Sequence, residues 1–94
     1  MILTLRIRKA GSGRYTAEVL NGREEVGELE SGTIASVIRQ CADVPMPDLL
    51  GFHIWYEHVS IGTTRLVSMR HDSETLAQRL LALHAHFFGL HEFE

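Results

Sequence analysis

Cysteine is nearly absent from this chain, with Cys41 the only one in 94 residues. No intrachain disulfide can form, so the fold cannot depend on an oxidising compartment. Low-complexity and linker-like stretches are absent as well, and residues 1–94 read as one α+β domain. No hydrophobic run approaches the roughly 20 residues that cross a bilayer. The N-terminus, Met1-Ile2-Leu3-Thr4-Leu5-Arg6-Ile7-Arg8-Lys9, alternates apolar and polar residues where a signal peptide needs an unbroken apolar stretch. The expected location is therefore cytoplasmic, with no membrane partner.

Catalytic signatures are missing too. The chain has no phosphate-cradling glycine loop, no Gly-x-Ser-x-Gly, no His-Glu-x-x-His and no Cys-x-x-Cys. Neither a cofactor nor a catalytic residue is expected from that pattern. Positive charge is also in short supply, since 12 acidic residues outweigh 9 basic ones for a net charge of −3. That balance opposes unspecific attraction to nucleic acid or anionic membranes.

What is present is a clear alternation of strand and helix patterns. Leu3, Leu5 and Ile7 alternate with Thr4, Arg6 and Arg8, the period of a half-buried strand. Folding back about Ser12 sets Leu5 opposite Val19, Ile7 opposite Ala17 and Arg6 opposite Glu18, so two independent patterns agree in register. Asn21-Gly22 then predicts a two-residue hairpin turn leading into a third strand over residues 23–29. Val26 and Leu29 would fall on opposite faces of it unless a bulge intervenes near Gly27, and the four glutamates that it carries or adjoins, Glu24, Glu25, Glu28 and Glu30, suit an edge strand.

Ser31 or Thr33 can cap a short helix with Ile34, Val37, Ile38 and Cys41 on its apolar side, where the cysteine acts as a small hydrophobe. Pro45-Met46-Pro47-Asp48 ends it as a stiff connector. Next comes an apolar strand over residues 52–59, a turn at Ser60-Ile61-Gly62-Thr63, and a return strand over residues 64–69. Asp72 or Ser73 starts a final helix carrying Leu76, Leu80, Leu83 and Phe87 as one stripe, with Gly89 expected to end it. The predicted order is βββαββα, an antiparallel sheet of about five strands with the helices on one face. At the level of element order alone, this resembles the partial ribonuclease-H-like fold of small bacterial antitoxins, and also type III secretion chaperones lacking their first helix. What the resemblance implies is a domain that grips a protein partner or dimerises to build a surface for one.

The run Phe52 to Val59 holds the only tryptophan and is apolar on both faces. Alternation sends Phe52, Ile54 and Tyr56 one way and His53, Trp55, Glu57 and Val59 the other. One face fills the core; the other presents an indole that calls for cover. A chain this short buries only about 60 to 65% of its unfolded surface, so pairing with a second copy would help. The leading expectation is a non-catalytic protein-interaction module, homodimeric and binding a further protein, with His53, Trp55, Glu57 and Val59 at the contact.

Two alternatives carry less. His53, Glu57 and His58 could supply acid-base groups for a small enzyme or ligand-binding protein, but no nucleophile or cofactor signature accompanies them. Arg6, Arg8, Lys9, Arg14 and Arg23 make the first hairpin basic, yet Arg6 faces Glu18 and no aromatics interleave for base stacking, so nucleic acid is not the expected partner. A metal site among His84, His86 and His91 is not expected, since helical residues two apart point about 200° from each other and two ligands fall short of a zinc site.

Overall fold

A computed structural model describes the backbone of residues 1–92 and the side chains of residues 1–87. The first three strands form a meander: β1 (Ile2–Gly11), β2 (Arg14–Asn21) and β3 (Glu24–Ser31). Helix α1 (Ile34–Ala42) follows, then β4 (Gly51–Tyr56), β5 (Val59–Arg65), a short helix α2 (Leu66–His71) and the long helix α3 (Ser73–Glu92). The sheet runs β3-β2-β1-β4-β5.

The first hairpin has the register that the alternation predicts, with Leu5 opposite Val19, Arg6 opposite Glu18 and Ile7 opposite Ala17. The following turn sits one residue later than expected, at Gly22 and Arg23, because only Gly22 takes a positive φ (65°). The bulge near Gly27 is present. Val19 pairs with Gly27 and Leu20 with Glu25, so Val26 is the extra residue, and β3 lies at the sheet edge.

Three expectations need correction. The sheet is mixed, since β1 and β4 run parallel through α1 and the connector, pairing Leu3 with Phe52 and Ile7 with Tyr56. A crossover of this kind is what parallel neighbours require. The turn between β4 and β5 is not at residues 60–63 but at Glu57 and His58, where Glu57 adopts φ 53°. This moves β5 forward to Val59–Arg65 and leaves Leu66–His71 free to form α2, where a strand was predicted. Finally, α3 passes through Gly89 without stopping.

Among the described residues, the buried apolar side chains form one cluster. It joins Leu3, Leu5 and Ile7 of β1, Ala17 and Val19 of β2, and Phe52, Ile54 and Tyr56 of β4 to Val37, Ile38 and Cys41 of α1, Met69 of α2, and Leu76 and Leu80 of α3. Helix α1 starts at an N-cap, Thr33, whose hydroxyl accepts from the Ser36 N–H at 3.1 Å. At the start of α3 the Asp72 carbonyl accepts from the Leu76 N–H at 2.9 Å. Burial pushes the Cys41 thiol up to about 12, as desolvation of a charged form should. Gly51 is fixed by contact: a Cβ there would run into the carbonyl oxygen of Thr64 on the neighbouring strand. The domain is two-layered, with every helix on one side of the sheet.

Candidate functional site

Among the described residues, no helix covers the opposite side of the sheet. Strand alternation places Thr4, Arg6 and Arg8 of β1 there, with Thr16, Glu18 and Leu20 of β2 and His53 and Trp55 of β4. Glu25, Glu28 and Glu30 extend the face onto β3, and Ser60, Thr63 and Arg65 onto β5. Trp55 is half-buried on this surface and not beneath α3. Its indole lies beside the His53 ring, centroids 5.7 Å apart and tilted by 43°.

His53 is held from β5. Its Nε2 lies 3.3 Å from the Ser60 hydroxyl and its Nδ1 3.5 Å from the Thr63 hydroxyl. Ser60 donates its single proton to the Ile54 carbonyl at 2.9 Å and accepts from the Gly62 N–H at 3.0 Å. The hydrogen-bond network therefore assigns the proton to His53 Nε2, which donates to Ser60. This is the reverse of a nucleophile-base pair, in which histidine accepts the serine proton. The Ser60 network pins the bulge where Trp55 pairs with Ser60 and Ile54 with Gly62.

Glu57 and Val59 do not join this face. Glu57 sits in the β4–β5 turn, where its carboxylate accepts from the Lys9 N–H at 2.9 Å and its own N–H donates to the Ile7 carbonyl at 2.9 Å. Val59 pairs with Tyr56 and packs against the core. The alternation argument assumed that the strand continued through residue 59; a left-handed glutamate ends it three residues sooner. Glu57 is thus tied to β1 and His53 to β5, on opposite flanks of β4, while His58 is exposed in the turn. The His53, Glu57 and His58 trio is not assembled into one acid-base site.

Several members of the uncovered face were not singled out by sequence. The parallel pairing sets Arg6 beside Trp55, an adjacency invisible without the crossover. On the other flank Glu18 pairs with Glu28, and they crowd Glu25, whose carboxyl is raised, first by a hydrogen bond with Glu28, then by desolvation and by repulsion from Glu28 and Glu18. A shallow depression of about 430 Å³ lies among Arg6, Thr16, Glu18, Glu28 and Glu30. Arg14 closes on Glu30 at 2.8 Å, whereas among the described residues Arg6, Arg8 and Arg65 make no ion pair.

Elsewhere, Tyr56 joins the sheet to the helical layer, its ring 6.2 Å from Tyr15 and 5.1 Å from His84 of α3. Burial, aided by Tyr15 and Glu57, raises its phenol. Leu81, Leu83 and Phe87 of α3 are exposed. The backbone at residue 91 continues the same helix. Among the described residues, no three His, Cys, Asp or Glu side chains group as metal ligands, and no helix is long and apolar enough to cross a membrane.

No protein-family model, no curated protein and no solved structure matches this chain.

Proposed function

We propose that the chain is a non-catalytic protein-interaction module, self-associating and binding a further protein through the uncovered face of its sheet. The observation that carries the reading is the position of Trp55: a half-buried indole on β4, between β1 and the edge strand β5, on a sheet face that no helix of the described residues covers. Tryptophan at such a place is the residue type that most often anchors an interface, because it buries much area with few rotatable bonds. His53, Ser60 and Thr63 form a polar border beside it, the ring nitrogens facing the two hydroxyls and the Ser60 hydroxyl donating to the Ile54 carbonyl. A serine whose proton is given to a backbone carbonyl is poorly placed for nucleophilic work, which supports binding over catalysis.

Sedimentation velocity over a range of concentrations, run on the wild-type protein and on Trp55→Ala, tests the proposal. The expected result is a self-associating wild type and a weaker-associating variant with an unchanged far-ultraviolet circular dichroism spectrum. A wild type that stays monomeric at hundreds of micromolar would remove self-association from the proposal, and a variant that simply unfolds would place Trp55 in the core.

A further inference from the structure

The uncovered face is divided by charge. On its β2–β3 side Glu18, Glu25 and Glu28 crowd one another, and on the β1–β4–β5 side stand Arg6, Arg8, Arg65 and the His53–Trp55 pair. Apart from the Arg14–Glu30 pair at its margin, these charges are not neutralised by ion pairs among the described residues. We infer that this face pairs with the same face of a second copy about a two-fold axis running along the strands between β1 and β2. The inference rests on the proposed function and names the geometry of its contact.

Two kinds of two-fold can set one sheet face against another. An axis across the strands lays β3 over β3, so Glu18, Glu25 and Glu28 meet their own copies and repel. An axis along the strands exchanges the two halves. Placed between β1 and β2, it lays β1 over β2 and β4 over β3. The in-chain register then gives the levels: Arg6 is level with Glu18 and Trp55, and Thr4 with Leu20 and His53. Across the axis Arg6 therefore meets Glu18 of the second copy, Thr4 meets Leu20, His53 meets Glu25, and the indole of Trp55 lies over the stem of Glu28. Each contact occurs twice, as a self-complementary interface requires. The rotation of about 30° between aligned sheets shifts these levels without exchanging the halves.

Size favours a reversible pair. Four overlapping strands about 4.8 Å apart, each contributing about six residues at about 3.3 Å, give a flat footprint of roughly 400 Å². Side-chain relief enlarges it, but the contact stays at the small end, below about 1,200 Å² in total, where transient complexes lie.

The test reverses one half of the face at a time. Glu18→Lys/Glu28→Lys and Arg6→Glu/Arg8→Glu are made as separate proteins, checked for fold by circular dichroism, and sedimented alone and mixed in equal amounts. Each variant alone should self-associate at least ten-fold more weakly than wild type, because both halves then carry one sign, and the mixture should recover association. The wild type itself should associate more weakly as salt rises from 50 to 500 mM, a measurement that needs no variant. Either variant pairing with itself as well as wild type does, or a wild-type association that strengthens with salt, overturns this geometry while leaving self-association standing. A wild type that is monomeric throughout overturns self-association itself.

Discussion

Raising the pH from 8 to 11 should destabilise the domain through Cys41, and the size of the effect can be worked out. The thiol is fully buried among the apolar residues of α1 and the sheet, and desolvation lifts it from 9.0 to about 12. Its folded-state value exceeds its unfolded one, so its contribution to stability is complete below about pH 9 and is lost as pH rises from there through 12. Between pH 8 and 11 the loss is about 3 kcal/mol, from about 1.4 kcal/mol per pH unit over nearly two effective units. Urea unfolding at both pH values, on wild type and Cys41→Ala, isolates the term: the alanine variant should start about 1 kcal/mol less stable and fall less steeply. Thiol labelling gives a second reading, since at pH 8 about one folded molecule in 10,000 carries a thiolate, against about one in ten unfolded. Parallel pH dependences in the two proteins, or rapid labelling without denaturant, would refute the burial argument.

Other perturbations act on the elements that position the face. Gly51→Ala drives a methyl group into the Thr64 backbone, so β4 and β5 must part; a loss of about 3 kcal/mol or more is expected in thermal or urea melts, and a wild-type melt would contradict it. Glu57→Gly relieves the left-handed backbone while losing the bond to Lys9, and should lie within about 1 kcal/mol of wild type. Glu57→Ala keeps the strain and loses the bond, so it should be the less stable of the two; the opposite ranking in urea melts would exclude this view of the turn. Thr33→Ala removes the α1 cap and should cost about 1 kcal/mol, with Thr33→Ser restoring most of it.

Local pattern made the meander legible. Folding back about Ser12 sets the Leu3, Leu5 and Ile7 alternation against the Ala17 and Val19 alternation in a register that buries both, and the Glu-rich third strand announced an edge. The helical spacing of Ile34, Val37, Ile38 and Cys41 was equally plain, because each of these residues must reach one core. The parallel pairing of β1 with β4 was not legible, because nothing in either strand's alternation says which neighbour it takes. The β4–β5 turn was hidden for a different reason. Turns with positive φ are usually signalled by glycine or asparagine, and here a glutamate occupies the position, held by a bond to Lys9 from a strand 48 residues earlier. That long-range bond also explains why two of the four expected contact residues were misplaced: His53 and Trp55 share the uncovered face, while Glu57 caps β1 and Val59 turns inward. The charge division of the face depends on both hidden features, so it emerged only with the sheet order.

Trp55 is the only tryptophan, so its fluorescence reports on the proposed contact without labelling. Emission and acrylamide quenching measured from low micromolar to several hundred micromolar protein should show a blue shift and falling quenching as concentration rises, reversed on dilution. An indole whose emission and accessibility stay constant while sedimentation shows the protein associating would place the contact elsewhere, and would contradict the claim that the uncovered sheet face is where this domain binds its own copy.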